Sequence, residues 1–340
     1  MSTVAVVIPC FSEARWADIL RAVDSAARQT VPVELIVVVD HNDTLLHRLR
    51  RELGDRARVV ANQYSRGASG GRNTGALVSE AELVAFLDDD EVAEPTWIEE
   101  LLRAHHAAPF ATGVGGAIEA RWPDGAPRWF PPEFSWVVGG SIPRRGGTDV
   151  RNVWGANMLV RRAALLAVGG FSNSFGKVGD ASQPEDTELC LRLSAHAGPG
   201  SRWRFTPAAV VWHEVPPERR TFRFFLRRSH LEGAGKRHMA ALPTAGEHVL
   251  AEEAAYVRSL LLRGVGRNLV AVLRGDVTGG LTRAAAIIAG VAAAGLGYLT
   301  ARPSTRRPAA LVAVPDTPDR ESPSEGGAVP ARRPRAGGAL

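Results

Sequence analysis

Leu83-Val84-Ala85-Phe86-Leu87-Asp88-Asp89-Asp90 decides the reading of this 340-residue chain. A short apolar run fits a strand buried on both faces. Such strands belong to parallel sheets covered by helices. Three carboxylates follow without a break. They repel one another unless positive charge sits among them. Ligands in open parallel sheets bind beyond the carboxyl ends of the strands. Oxygen ligands gathered there suit a hard cation such as magnesium or manganese. The same acids also suit a solvated turn ahead of the helix that Pro95 opens. Position alone leaves both readings open.

The pattern extends toward the N-terminus. Val4–Ile8, Leu35–Val39 and Arg58–Ala61 read as strands. Ile19–Ala27, Leu45–Leu53 and the run from Arg72 to Ser79 read as helices. This alternation indicates βαβ units and a parallel sheet. Asp40 ends its strand at the same edge as the acidic triplet. It can accept hydrogen bonds from a base or ribose, or close an Asx turn. Arg66–Gly71 reads as a glycine-rich loop through which backbone amides and Arg72 could approach a diphosphate. It is neither a dinucleotide fingerprint nor a Gly-Lys-Ser/Thr loop. A fingerprint would follow the first strand, where Pro9-Cys10-Phe11-Ser12 stands.

From about Thr112 the character changes. Val114–Ala120, Val153–Val160 and Ala208–Trp212 read as strands between loops rich in Gly, Pro, Trp and Phe. Gln183-Pro184-Glu185-Asp186 opens a helix through His196. Proline suits the first helical position, and acids suit the first turn. Glu188 and Arg192 add an i,i+4 pair. A carboxylate at Glu185 or Asp186 stays ionised there and can accept a proton. Ordinary helix-start charge gives the same pattern. His213 ends its strand, where imidazole can complete a metal site with Asp90 or bond to backbone.

Composition excludes several classes. The chain is 45% apolar and 23% charged, which rules out a disulfide-stapled mini-protein, a disordered chain and a collagen-like fibre. Two cysteines, Cys10 and Cys190, make no disulfide framework and fit a reducing cytoplasm. The start through Val4–Ile8 reads as having no secretory leader. The formal charge of +5 concentrates in Arg219–His238 and beyond Arg302. No zinc-finger spacing, RNA-binding motif or basic zipper occurs, so nucleic acid is not an expected partner. Phenylalanines among the arginines near Arg227 and Arg228 suit an interfacial helix, or a helix packed on the core. Val249–Leu273 reads as helical. Leu281–Ala301 holds one charge, Arg283, and barely meets the roughly 20 residues that a spanning helix needs. An interfacial or re-entrant helix at a membrane surface is expected there, with a helix packed on the soluble domain as the alternative. Residues 302–340 read as a disordered tail.

Taken in order, these residues resemble the family 2 glycosyltransferases. The landmarks are Val-Val-Ile-Pro ending at Pro9, Ala27-Arg28-Gln29, the strand ending at Asp40, and Gly71-Arg72-Asn73-Thr74-Gly75. Then come Phe86-Leu87-Asp88-Asp89-Asp90, Gly155-Ala156-Asn157, Gly169-Gly170-Phe171, Pro184-Glu185-Asp186-Thr187-Glu188-Leu189 and Trp212-His213. The resemblance runs from Val4 to Lys236. It implies an α/β chain of the GT-A fold, with a Rossmann-like, mostly parallel central sheet, flanking helices and a C-terminal helical region. Residues 1–111 would form the nucleotide-sugar-binding half and 112–217 the acceptor-binding and catalytic half. Residues 218–301 would be C-terminal helices, with a possible membrane-associated segment at 281–301.

The resemblance also implies roles. Pro9, Asp40 and Arg72 would line the nucleotide site, with Glu13, Asn73, Asp89 and Arg227 in the donor-binding set. Asp88 would face the ribose. Asp90 and His213 would hold Mg2+ or Mn2+ on the diphosphate. Asp186 would be the catalytic base, beside Glu185. Gly155, Ala156 and Asn157 would lie near the donor sugar or acceptor. The implied reaction inverts the sugar carbon, with a nucleotide-sugar donor that is commonly UDP-linked. The acceptor would be a glycan, a lipid-linked carrier or a small molecule. The Gln-x-x-Arg-Trp motif of processive synthases is missing near Arg227, so one sugar per encounter is expected. Trp122–Trp136 resembles a subgroup that acts on polyprenyl-linked carriers, including glucuronosyl transfer to a lipid-phosphate glucoside. A cytoplasmic enzyme at the inner face of the cell membrane follows. Phe11-Ser12 replaces the family's frequent Tyr-Asn, and His41-Asn42-Asp43 departs from its acid and serine.

Two rival readings remain. A nucleotidyltransferase would carry a glycine-rich loop with Arg and Lys after the first strand, which Pro9–Glu13 lacks. A non-catalytic, membrane-attached nucleotide-sugar-binding protein would have no need of Asp88, Asp90, Asp186 and His213 together.

Overall fold

The computed structural model describes residues 2–142, 146–172, 176–178, 181–183, 185–240 and 248–301. Pro184 and the expected tail 302–340 lie outside the described residues. Strand and helix alternate as β1 (Val4–Cys10), α1 (Trp16–Ala27), β2 (Glu34–Val39), α2 (Asp43–Leu53), β3 (Arg58–Ala61), α3 (Ala68–Val78) and β4 (Leu83–Phe86). Next come β5 (Glu91–Ala93), α4 (Trp97–Ala107), β6 (Gly113–Arg121), β7 (Thr148–Val150), β8 (Met158–Arg161) and α5 (Arg162–Ala167). After them stand β9 (Gly176–Val178), β10 (Ala181–Gln183), α6 (Glu185–Ala197) and β11 (Trp203–Glu214). The C-terminal helices are α7 (Phe222–Ala240), α8 (His248–Ser259), α9 (Val265–Leu273) and α10 (Val277–Thr300).

One sheet runs β3-β2-β1-β4-β8-β6-β11-β5, with β7 also on β11. The first four strands are parallel. β8 lies antiparallel between β4 and β6, and β6 pairs parallel with β11. The expected mostly parallel sheet with flanking helices and a C-terminal helical region is what forms. Alternating side chains fill two cores. Ile19, Leu49 and Trp97 from α1, α2 and α4 cover one face. Ala76, Leu165 and Leu193 from α3, α5 and α6 cover the other. A third core gathers Phe130, Phe134, Phe225 and Ile287, and it fastens α7 and α10 to the body.

Several expectations change. The glycine-rich run is not a loop, because α3 begins at Ala68. A Cβ at Gly75 would sit 2.2 Å from Val7 Cγ1, so the glycine lets α3 lie directly on β1. The strand expected over Val153–Val160 starts only at Met158, after a tight turn at Gly155–Asn157. Asn157 is drawn inward there by bonds to the carbonyls of Ala117 and Ala209, at 2.9 and 3.0 Å. β11 runs well past the expected Ala208–Trp212, through a register shift between Thr206 and Val210. Pro207 lies in that shift, where a missing N–H is tolerated. A wide helical turn at Leu260–Gly264 divides the helix expected over Val249–Leu273.

Candidate active site

β4 delivers Asp88, Asp89 and Asp90 to the carboxyl edge of the sheet, and the chain turns at once into β5. β5 pairs antiparallel with β11, placing Glu91 opposite His213. This pairing brings the histidine to the acidic triplet from more than a hundred residues away. A cavity of about 340 Å³ opens at that point. Of the site residues expected from the sequence, Arg72, Asp88, Asp90, Ala156, Glu185, Asp186, His213 and Arg227 line it.

Arg72 is the centre of charge. α3 carries it to full burial, 3% exposed. Its Nη2 donates to Asp88 Oδ1 at 2.7 Å. Its Nη1 lies 3.6 Å from Glu185 Oε1 and 3.9 Å from Asp186 Oδ1. Burial works against the guanidinium charge, and Asp88, Asp186 and Glu185 outweigh it, so its pKa rises. Its Nε and Nη1 make no hydrogen bond among the described residues.

Glu185 and Asp186 occupy the first turn of α6. Burial raises the Glu185 pKa to about 7, the neighbouring Asp186 charge adds to this, and Arg72 opposes it. Burial also raises Asp186, while Arg72 and the Gly155 amide favour its charged form. A Cβ at Gly155 would stand 2.4 Å from Asp186 Oδ1, so only glycine leaves the carboxylate in place. Glu188 and Arg192 form the expected pair. Arg192 also donates to the Val168 and Gly170 carbonyls, both at 2.8 Å, and ties α6 to the end of α5.

His213 is buried and lies 3.0 Å from Arg219 Nη1 through its Nε2. Arginine only donates, so Nε2 accepts and the proton sits on Nδ1, which has no partner among the described residues. Burial lowers the His213 pKa against the pull of Asp90, so the ring is neutral, the form that binds metals. Asp90 supplies a carboxylate oxygen. Among the described residues no group of three or more His, Cys, Asp or Glu side chains could enclose an ion. Magnesium is commonly held by one or two protein ligands plus substrate phosphates. Asp90 fits a divalent cation on those terms, and His213 would join it only where Arg219 releases Nε2, the ring nitrogen that carries the lone pair.

Arg15 was not foreseen. Its Nη1 lies 2.7 Å from Asp89 Oδ1 and 3.1 Å from Asp90 Oδ2, and supplies positive charge the triplet requires. Asp89 therefore faces Arg15 instead of the cavity, and burial raises its pKa to about 7. Arg228 and Trp136, both named in the sequence, line the cavity too, and Glu91, Trp154 and Arg219 join them unannounced. The requirement for positive charge among adjacent acids was the only signal for Arg15.

Other expected site residues lie elsewhere. Asn73 bonds both ways to the Phe171 backbone, at 2.8 and 2.7 Å, and cross-links α3 to the turn after α5. Asn157 is fully buried and accepts from Trp97 Nε1 at 2.8 Å. Both spend their polar atoms on the scaffold, so neither reaches the cavity. Pro9 is buried in β1 beneath Gly71. Glu13 is exposed on a single turn at Glu13–Arg15, away from the cavity lining. Asp40 accepts from Asn62 Nδ2 at 2.7 Å and from the Gly67 amide at 2.9 Å, anchoring the entry to α3. The aromatic segment Trp122–Trp136 builds the third core through Phe130 and Phe134, and Trp136 reaches the cavity. Phe225 is buried in that same core, so α7 packs on the body. A larger cavity, about 630 Å³, lies between Pro132–Glu133 and the turn at Leu260–Gly264, with none of the expected residues.

A family model for Glycosyl transferase family 2 matches residues 5–169. A glucosyl-dolichyl phosphate glucuronosyltransferase of Haloferax volcanii is 33% identical over 305 residues, covering 87% of this chain and 95% of that protein. The chain belongs to glycosyl transferase family 2. As a family 2 glycosyltransferase it is a transferase, and its sheet agrees with the GT-A fold. The succinoglycan biosynthesis protein ExoM of Rhizobium meliloti is 28% identical over 228 residues, covering 64% of this chain and 70% of that protein. A validoxylamine A glucosyltransferase of Streptomyces hygroscopicus subsp. jinggangensis is 28% identical over 247 residues, covering 64% of this chain and 56% of that protein. In this family 2 chain the model match ends at Gly169, before α6 supplies Glu185 and Asp186.

Proposed function

We propose that this protein moves one sugar from a nucleoside-diphosphate donor, UDP-linked, to an acceptor hydroxyl on a lipid-linked carrier, with inversion at the sugar carbon. The observation that carries the reading is the placement of Asp186, at the start of α6, in the same cavity as Asp88 and Asp90, with Arg72 between them. Asp186 accepts the proton of the acceptor hydroxyl as that oxygen bonds to the sugar carbon. The bond from the carbon to the diphosphate oxygen breaks, and its electron pair leaves with the diphosphate. Gly155 and Arg72 position Asp186 and favour its charged form against burial. Asp90 and His213 would hold Mg2+ or Mn2+, whose charge stabilises the departing diphosphate. Arg219, Arg227 and Arg228 give the cavity positive charge suited to phosphate.

The likeness to a relative named for glucuronosyl transfer to glucosyl-dolichyl phosphate, over 95% of that protein, supports a lipid-linked acceptor and a glucuronosyl donor. One helix among the described residues, Val277–Thr300, is long and apolar enough to cross a membrane, which supports work at the inner face of the cell membrane. A thermal-shift titration with UDP, GDP and dTDP, each with and without manganese, tests the donor site. Ligand at 100 times its Kd stabilises a fold by about 2.7 kcal/mol. A shift with UDP that needs manganese is expected. No shift with any of the three would contradict the reading.

A further inference from the structure

α10 is built inside out for a helix of a water-soluble body. Such helices bury their largest apolar side chains. Here the inward positions are small, Gly279, Gly280, Ala284, Ala286, Gly290 and Gly297, apart from Ile287. The outward ones include Leu281, Ile288, Leu296 and Leu299, the last 81% exposed. Small residues toward protein and large ones outward is the arrangement of helices bordered by lipid. The exposed face continues onto the preceding segment. Leu262 is 69% and Leu273 is 87% exposed, with Leu261, Leu269 and Val270 beside them.

The charge around this face is mainly positive. Arg258, Arg263, Arg267 and Arg274 are exposed along the same segment, Arg267 in an ion pair with Glu133. Among the described side chains from Ala254 to Ala301, the one acid is Asp276. Arg128 and Arg283 hold it at 3.0 and 2.6 Å. An apolar face bordered by arginines matches the headgroup boundary of an anionic bilayer.

The small inner face argues against α10 crossing that bilayer. α7 and α10 touch backbone to backbone. A Cβ at Gly233 would meet the Ala294 carbonyl oxygen at 1.8 Å, and one at Gly297 would meet the His230 carbonyl oxygen at 1.9 Å. α7 is a charged helix, with Arg228 and Lys236 paired to Glu232, and Arg237 5.3 Å over the Tyr298 ring. A spanning α10 would drag these charges into hydrocarbon, at several kcal/mol each.

We propose that the outer face of residues 260–300 is a docking surface for an anionic phospholipid bilayer, on which α10 lies flat. This deepens the membrane association proposed above and rests on it. α7 lines the catalytic cavity with Arg227 and Arg228 and packs on α10, so the cavity stands one helix from the lipid.

The test is co-sedimentation of the full chain with phosphatidylcholine vesicles, with and without phosphatidylglycerol. Binding that requires phosphatidylglycerol and weakens with salt is expected. Replacing two exposed residues, Leu273→Glu with Ile288→Glu, should lower partitioning by about a hundredfold with circular dichroism unchanged. Single-cysteine labelling distinguishes lying from crossing, because Cys10 and Cys190 are buried. Thr278→Cys and Thr300→Cys should both react with an impermeant maleimide from the side where protein was added. Protection of one alone would show a span and overturn the proposal. So would vesicle binding that ignores phosphatidylglycerol, no vesicle binding, or a dimer that the double variant dissolves. The same double variant should keep the UDP and manganese thermal shift of the wild type. A chain that docks on vesicles but binds no nucleoside diphosphate would refute the donor site and leave the surface standing.

Discussion

Arg72 Nη2 donates to Asp88 Oδ1 over 2.7 Å, which fastens α3 to the acidic turn after β4. The guanidinium is buried and answers three carboxylates, Asp88, Glu185 and Asp186. Removing one partner of a buried ion pair leaves uncompensated charge and commonly costs about 3–5 kcal/mol. Arg72→Ala should lose that much in urea unfolding. Arg72→Lys should recover part of it, because a point charge cannot face all three acids.

Gly155 bears on the position of Asp186. Its hypothetical Cβ would lie 2.4 Å from Asp186 Oδ1, too near for any atom. Gly155→Ala should displace the carboxylate and lower kcat by about 10²-fold, the effect of a misplacement near 1 Å. UDP binding, followed by thermal shift, should change little.

The pair Glu185 and Asp186 sets a pH dependence. Burial raises Glu185 to about 7, and Asp186 also lies above the ordinary carboxylate range. A base must be unprotonated, so kcat/KM should fall on the acid side, with an inflection above the ordinary aspartate range. Glu185→Gln removes one of the two titrating groups and should move the inflection. Stability has the opposite slope. Between the ordinary value of 4.5 and about 7, the folded chain holds a proton at Glu185 that the unfolded chain has released. Stability therefore falls as pH rises across that window. Urea midpoints for Glu185→Gln should be flatter there.

Metal dependence should follow Asp90 and His213. Chelation by EDTA should abolish transfer, and added manganese should restore it. Asp90→Ala and His213→Ala should each lose the manganese-dependent part of the UDP thermal shift. Retention of that part in both would remove these residues as ligands.

Much of this was legible from the chain itself. The β-rich runs and intervening helices predicted the parallel half of the sheet, because a strand buried on both faces leaves a near-continuous apolar signal. Three-residue strands such as β5 and β7 leave none, although β5 carries His213 to the acids. The glycine run before Arg72 misled, because glycine usually marks a loop. Here the missing Cβ of Gly71 serves helix-on-strand contact at Pro9. Asn73 and Asn157 had the polarity of ligands, but their partners are backbone groups about 100 and 40 to 52 residues away and, for Asn157, the Trp97 indole. Arg15 was hidden for the same reason, since Asp89 is 74 residues distant.

The central claim is that Asp186 is the base for sugar transfer in the Arg72 cavity. The most direct measurement is single-turnover transfer from UDP-glucuronic acid to a polyprenyl-phosphate glucoside with manganese, comparing wild type and Asp186→Asn. The account predicts product from wild type and a rate about 10²–10⁴-fold lower in the variant, with UDP affinity retained. A variant that transfers at the wild-type rate would contradict it.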